Sequence, residues 1–195
     1  VVVSGGQTMN PSTKDLLDAV ERVNADAVII LPNNSNIIMA AQSAAGLSEV
    51  PCAVVPTKSV PQAFSALFSA DETASLEENV ENMTSAFADT KTGEVTTAIK
   101  DSKDAHDNPI HNGDVIGIAD GSIEAVGSSV EDVVMSLLDT MEAEDADTLT
   151  LLAGEDFSDE QLDALVERIE SRFDELEVDA HRGEQPLYPI VFSVE

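Results

Sequence analysis

Residues 1–13 read VVVSGGQTMNPST: an apolar run of strand length, a Gly-Gly turn, and a Pro-Ser-Thr signal that is typical of a helix start. A second junction of the same kind, AVIILPNNSN at residues 27–36, passes from an apolar run into a Pro-Asn-Asn turn ahead of another helix pattern. Open α/β sheets hold ligands and partners at the carboxyl ends of their strands. The two junctions therefore predict one shared polar crevice at that edge of a sheet.

The first ninety residues alternate strand and helix patterns three times. The predicted strands are Val1–Val3, Ala27–Leu31 and Cys52–Val55, and each is followed by apolar residues at helical spacing. The helix after the third strand is expected to begin at Ser59, which can cap it. Its large residues Phe64, Leu67 and Phe68 are predicted to pack inward. Such alternation is typical of a parallel, right-handed α/β lobe.

The pattern changes after residue 92, where we place a boundary between a parallel α/β lobe (1–92) and an α+β lobe (93–195). In the second lobe a strand pattern at residues 95–100 precedes a polar stretch, 101–108, that we interpret as a loop. Asp120-Gly121 is a strong hairpin turn. Two later helix patterns and three closing strands predict a mixed sheet with both helices on one face. The fold class is therefore α/β in two lobes.

Charge excludes several classes of partner. The 195 residues contain 9 Lys and Arg against 38 Asp and Glu, a formal net charge of −29. Nucleic acid and anionic membranes both require basic residues, so neither is expected as a partner. A basic protein would be steered towards the chain, although acidic residues also simply keep solvent-facing surfaces soluble.

The chain lacks the features of a membrane or secreted protein. No apolar run approaches the roughly 20 residues of a membrane helix, and no signal peptide is visible. Cys52 is the only cysteine, so no disulfide forms within the chain, which fits the cytoplasm. Because the sequence begins directly on a strand pattern and not with Met, we expect it to be part of a longer protein whose upstream residues are missing.

The predicted crevice supplies the candidate ligand or partner residues. They are Gly5, Gly6, Gln7, Thr8, Asn10, Asn33, Asn34, Asn36 and Lys58. Lys58 is the only positive charge expected near this edge and is suited to an anion. The Gly-Gly turn lacks the further glycines and the Gly-Lys-Ser/Thr of nucleotide-binding loops. A structural turn, and helix capping by the asparagines, are the alternatives.

No catalytic or metal-binding residues are predicted. The three histidines, His106, His111 and His181, lack metal-type spacing, and no nucleophile-base signature is present. Tyr188, the only tyrosine, is flanked by Pro186 and Pro189 in what we predict to be a rigid turn. The turn suits partner docking, and ordinary packing is the alternative.

An ordered series of segments resembles one family of bacterial proteins. The segments are GGQTMNPS at 5–12, ILPNN at 30–34, VVPTKSVPQ at 54–62, ASLEEN at 74–79 and QPLYP at 185–189. Over essentially the whole chain they resemble the C-terminal region of the large chain of bacterial fatty acid kinase, which belongs to a Dak-phosphatase or dihydroxyacetone-kinase-like family. The resemblance implies a two-lobed fold similar to DegV proteins and to the substrate-binding component of dihydroxyacetone kinase.

The resemblance also implies a function. In that family an N-terminal helical domain binds Mg-ATP, and the C-terminal domain docks a DegV-type fatty-acid-binding protein whose acyl carboxylate is phosphorylated. We therefore expect a non-catalytic docking domain with no cofactor of its own, partnered by its own kinase domain and by the DegV-type protein. A homodimer is compatible with this role. The alternative is a domain whose crevice binds a fatty acid or another anion directly.

Overall fold

The computed structural model describes residues 1–5, 10–104 and 107–195. The chain divides into two compact units, Val1–Asp89 and Thr90–Glu195, which we call the N-terminal unit and the C-terminal unit. The predicted α/β class with a mixed sheet is confirmed. None of the helices in the described ranges combines the length and the apolar character needed to cross a membrane.

The N-terminal unit is built around a short parallel pair of strands. Its elements are α1 (Thr13–Val23), β1 (Val28–Ile30), α2 (Ile38–Leu47), β2 (Cys52–Val54), α3 (Val60–Phe68) and α4 (Leu76–Ala86). Strands β1 and β2 run parallel, with Val28 opposite Cys52 and Ile30 opposite Val54. The carboxyl ends of both strands therefore lie at the same edge.

The strand predicted at Val1–Val3 is wrong, because residues 1–5 have no strand structure. Val1 and Val2 are 72% and 94% exposed, and only Val3 packs against the small apolar cluster around Leu16 and Ala41. Valine favours strands because it packs well on a pleated, half-buried surface. Without a paired neighbour or a covering face, a run of valines does not form a strand.

Helix α3 begins where it was predicted, but it buries the side opposite to the one predicted. The Ser59 side chain caps it by accepting a hydrogen bond from the Gln62 backbone N–H at 3.3 Å. However, Phe64, Leu67 and Phe68 are 41%, 52% and 90% exposed, so the prediction that they pack inward is wrong. The inward face carries small residues such as Ala66, which lies fully buried with Val55 and Met83. A small side chain there lets α3 approach the strand end and α4 closely.

The C-terminal unit is a six-stranded mixed sheet with two helices. Its elements are β3 (Lys91–Thr97), β4 (Ser102–Lys103), β5 (Pro109–Ile110), β6 (Val115–Ala119), β7 (Ser122–Gly127), α5 (Val130–Thr140), β8 (Thr148–Ala153), α6 (Asp159–Arg172), β9 (Glu177–Arg182) and β10 (Ile190–Val194). The strand order is β7-β6-β3-β10-β8-β9. Only the pair β8 and β9, joined by the crossover helix α6, is parallel.

The loop predicted over residues 101–108 is wrong in part. Strand β4 pairs with β5 in a small antiparallel ladder in which Ser102 lies opposite Ile110. Ile110 is 1% exposed and packs with Ala98 and Ile116. The apolar residue that anchors this small ladder, Ile110, therefore lies just beyond the polar stretch. The composition of residues 101–108 alone does not indicate it.

One core fills the space between α5, α6 and one face of the six-stranded sheet. Leu137, Leu165, Leu151 and Phe192 are fully buried in it. Phe192 on β10 lies directly opposite Gly93 on β3, and a Cβ atom at Gly93 would overlap the phenylalanine ring. The Phe192 ring therefore occupies the space that a side chain at residue 93 would fill.

This close approach predicts the effect of substituting two glycines. We expect Gly93→Ala to destabilise the C-terminal unit by about 1–3 kcal/mol, since the buried ring has no room to move. The control is Gly46→Ala in the exposed part of α2, where nothing lies within 4 Å of the new Cβ and alanine favours the helix. Urea unfolding followed by circular dichroism measures both. Equal stability of Gly93→Ala and the parent chain would contradict the packing described here.

Candidate functional site

The carboxyl ends of β1 and β2 are joined by a pair of polar residues, the half-buried Asn33 and the buried Thr57. The Asn33 backbone N–H donates to Thr57 Oγ1 at 3.1 Å, and the Thr57 hydroxyl donates to Asn33 Oδ1 at 2.8 Å. Thr57 is fully buried. We call this pair the Asn33–Thr57 clasp. It holds the loop after β1 against the loop after β2, at the edge where the sequence predicts a crevice.

The local backbone explains why these two residues meet. Asn33 has a φ of 57°, in the left-handed region that asparagine tolerates better than most residues. This conformation turns the chain after Pro32 and leaves the Asn33 N–H pointing at the neighbouring loop. On that loop the Thr57 N–H donates to the Val55 carbonyl oxygen at 2.8 Å, which tightens the turn after β2.

Lys58 lies between the clasp and the start of α3. Its backbone N–H donates to Gln62 Oε1 at 2.8 Å, so the position of its main chain is fixed. The residue itself is exposed, and the Lys58 ammonium forms no ion pair with any described residue. A lysine held in this way can meet an anion from solvent or an acidic group on a partner.

The structure brings together only some of the predicted crevice residues. Asn34 Oδ1 accepts from the Asn36 N–H at 2.9 Å and the Asn34 carbonyl oxygen accepts from the Ile37 N–H at 3.0 Å. These bonds shape the turn into α2, but no asparagine side chain caps that helix, whose N-cap residue is Ile37. Gly5 and Asn10 are exposed. The predicted residues Gly6, Gln7 and Thr8, and also His106, lie outside the described residues.

Sequence reasoning missed Thr57 and Gln62, which organise this corner. Thr57 directly precedes the selected Lys58, and its position at a predicted strand end is a usable signal. Its partner Asn33 is 24 residues away, so the pairing itself has no local signature. Gln62 lies in an otherwise apolar helix, and a buried amide of that kind requires a hydrogen-bond partner.

The corner has little chemical reactivity. The Thr57 hydroxyl donates its only proton to Asn33 and is not paired with a general base. Burial raises the pKa of the Cys52 thiol on β2, which favours its unreactive neutral form. Across residues 1–5, 10–104 and 107–195, no three His, Cys, Asp or Glu side chains are placed to hold a metal ion.

Tyr188 belongs to a second candidate region, in the C-terminal unit. Gln185 Nε2 donates to the carbonyl oxygens of Leu152 at 2.7 Å and Tyr188 at 3.2 Å, which makes the loop before β10 rigid. Leu187 at its tip has a φ of 70° and is 63% exposed. The sequence predicts a rigid turn here, and these bonds give it its structure. Docking through Tyr188 stays a prediction.

The tyrosine ring is half-buried beside an acidic side chain. Burial, and then the charge of Glu94, raise the pKa of Tyr188 to about 12. Glu94 lies on β3 between the inward-facing Gly93 and Val95, so it projects from the sheet face opposite α5. Burial raises the pKa of Glu94 as well. The pair is a polar patch on that face, with a carboxylate that is poorly solvated.

A family model covers the whole chain. The FakA-like C-terminal model, which describes the C-terminal region of fatty acid kinase A-like proteins, matches residues 1–195. Protein YloV of Bacillus subtilis is 44% identical over 196 aligned residues, and an uncharacterised protein of Staphylococcus haemolyticus is 42% identical over 194. Both alignments cover all of this chain and 35% of the relative. The chain therefore spans about a third of the length of these curated relatives.

Solved structures of low sequence identity share the fold. The Streptococcus pneumoniae fatty acid kinase B3 protein, loaded with linoleic acid, has a TM-score of 0.65 and 15% identity, covering 95% of this chain and 76% of that one. The dihydroxyacetone kinase operon co-activator DhaQ has a TM-score of 0.58 and 14% identity, covering 94% and 70%. At these identities the likeness shows the fold alone, which is the DegV-like fold expected from the sequence.

The clasp predicts a specific cost for losing one hydroxyl. Thr57→Val keeps the shape of the side chain but leaves the Asn33 N–H and amide oxygen without their partner. We expect the N-terminal unit to lose about 1–3 kcal/mol of stability. Thr84→Val, on the half-buried side of α4, is the control and should stay within about 0.5 kcal/mol. Chemical denaturation compares them, and equal losses would argue against the clasp.

The half-buried carboxylate of Glu94 predicts a dependence of stability on pH. The folded-state pKa of Glu94 lies above the unfolded value, so this group lowers the stability of the native state as the pH rises through that interval. Glu94→Gln removes the cost. We expect the variant to be more stable than the parent chain at neutral pH and equal to it well below the ordinary pKa of 4.5, where the carboxyl is protonated in both states. Thermal melts across that range test this, and a variant less stable at neutral pH would contradict it.

Proposed function

The chain belongs to the FakA-like C-terminal family of fatty acid kinase proteins, and we propose that it is the docking domain of a fatty acid kinase. Its task is to bind a DegV-type protein that carries a fatty acid, so that a kinase domain elsewhere in the parent protein phosphorylates the acyl carboxylate. The family match and the size of the relatives, of which this chain covers 35%, support the division of labour. Mg-ATP belongs to that other domain.

The observation that most supports docking over ligand binding is the closed state of the Asn33–Thr57 clasp. The Thr57 hydroxyl donates to Asn33 Oδ1 at 2.8 Å and accepts from the Asn33 N–H at 3.1 Å. Both bonds lie at the strand edge where open α/β sheets place ligands. A carboxylate or phosphate that used the Thr57 hydroxyl would first have to break the bond to Asn33. Losing that bond would cost part of the binding free energy.

A docking domain without reactive groups still accelerates the reaction of its parent. Tethering an acyl carrier beside a kinase domain makes their meeting intramolecular, and short flexible tethers give effective concentrations of roughly millimolar. Orientation of the acyl carboxylate towards the nucleotide adds to this effect. The domain therefore contributes to the reaction only by placing the acyl carrier beside the kinase domain.

The alternative function is direct binding of a fatty acid or another anion. Two observations favour it: the exposed Lys58 beside the strand edge, and the fold shared with proteins whose structures were solved with fatty acids, such as the linoleic-acid-loaded B3 protein. This function requires that the chain bind a fatty acid without any protein partner.

Docking predicts a direct complex. We expect the chain to bind the DegV-type fatty-acid-binding protein of the same organism, loaded with linoleic acid, as a saturable one-to-one complex in isothermal titration calorimetry. A second, unrelated fatty-acid-binding protein of β-barrel type loaded with the same lipid should give no heat of binding. Absence of binding to the DegV-type partner would remove the docking function.

Thermal shift separates the two functions. A ligand that binds only the native state at one hundred times its Kd stabilises it by about 2.7 kcal/mol, enough to raise the Tm by several degrees. We expect linoleic acid alone, kept below its micellar concentration, to leave the Tm of the chain unchanged. A dose-dependent rise that Lys58→Ala abolishes would favour direct binding.

A further inference from the structure

Helix α3 exposes its large apolar side chains and buries its small ones. Val60, Phe64, Leu67 and Phe68 are 43%, 41%, 52% and 90% exposed, and we call these four residues the α3 stripe. The opposite side of the helix, with Ala63 and Ala66, is buried at 4% and 0%. This is the reverse of the arrangement that a surface helix adopts when it packs only against its own core.

The four residues form one continuous surface. At about 100° per residue they fall within an arc of roughly 100° on one side of the helix. Two of the six phenylalanines of the chain lie in it. Monomeric proteins rarely expose contiguous apolar patches of large residues, and such patches mark sites of protein association.

The surroundings of the stripe are acidic, and the one cation close to it in sequence is the exposed Lys58, just before the Ser59 cap. From residue 59 to residue 90 the sequence has no Lys, Arg or His. It contains six exposed acids over the same span, Asp71, Glu72, Glu77, Glu78, Glu81 and Asp89. The turn after Phe68 is held in place by Asn79, whose side chain accepts from the Asp71 N–H and donates to the Asp71 carbonyl oxygen, both at 2.8 Å. The main chain at Asp71, three residues after Phe68, is therefore fixed beside the apolar end of the helix.

We propose that the α3 stripe is the surface by which this domain docks its partner, and that the partner offers an apolar groove rimmed by lysine or arginine. The identity of that partner as the DegV-type acyl carrier rests on the function proposed above; the chemistry of its surface follows from the stripe and the acids around it. A helix with apolar residues at i, i+4, i+7 and i+8 is suited to a groove. Basic residues around the groove would meet the acids and speed association.

Charge argues against a second copy of the chain as the occupant. Two copies would each bring a formal net charge of −29 to the contact. Acids of the same α3–α4 turn would also meet near the two-fold axis of a symmetric dimer, where like charges repel. Over residues 58–90 each copy supplies one cation, Lys58, against six exposed acids.

The test compares stripe variants with equally exposed control positions. Leu67→Ser combined with Phe68→Ser removes the end of the stripe. Met39→Ser on α2 and Ile99→Ser after β3, 78% and 85% exposed, are the controls. The probe is the DegV-type protein of the same organism loaded with linoleic acid, and calorimetry measures the Kd. We expect the double variant to weaken binding at least tenfold and each control less than twofold. Circular dichroism verifies that all variants are folded.

A charge reversal tests the predicted basic rim. Glu72→Lys beside the stripe should weaken binding severalfold and reduce its dependence on salt. Glu170→Lys on α6 of the C-terminal unit is the matched control and should leave both unchanged. Variants that bind as tightly as the parent chain would overturn the proposal while leaving the docking function intact. Failure of the parent chain to bind would overturn both. A dimer seen by sedimentation equilibrium and dissociated by the double variant would assign the stripe to a second copy instead.

Discussion

The Asn33–Thr57 clasp is the constraint on which the arrangement of the N-terminal unit depends. Two parallel strands of three residues each supply few ladder hydrogen bonds, so the loops after them need another connection. The clasp provides it with two bonds between a fully buried hydroxyl and a left-handed asparagine. By fixing the chain at Thr57, it also sets where Lys58 and the Ser59 cap stand, and therefore where α3 begins.

The Asn33–Thr57 clasp also bears on function. Polar atoms at the strand edge satisfy one another, which fits a corner that is structural and not reactive. The helix that starts from that corner presents the α3 stripe to solvent, on the outside of a unit whose inward face needs only small residues. We propose that the α3 stripe and its acidic surroundings form one recognition surface, in a domain whose described residues place no three metal-ligating side chains together.

The sequence predicts the helix starts and the hairpin well because their signals are local. Ser12 and Ser59 each form the expected hydrogen-bonded start of a helix, and Asp120-Gly121 turns the hairpin with φ values of 48° and 90°. The orientation of α3 was not predictable in this way, because the helix has both a side of large apolar residues and a side with the small residues Ala63 and Ala66, and only the structure shows that the small side is buried. The Asn33–Thr57 clasp joins residues 24 positions apart, and no local rule pairs them.

Hydrogen exchange of the chain, measured by mass spectrometry with and without the loaded DegV-type protein, tests the central claim most directly. Docking through α3 predicts slower exchange of amides in residues 59–70 when the protein partner is added, and no change there with linoleic acid alone. Protection confined to the loop at residues 31–36, appearing with the free fatty acid and without any partner, would contradict this account.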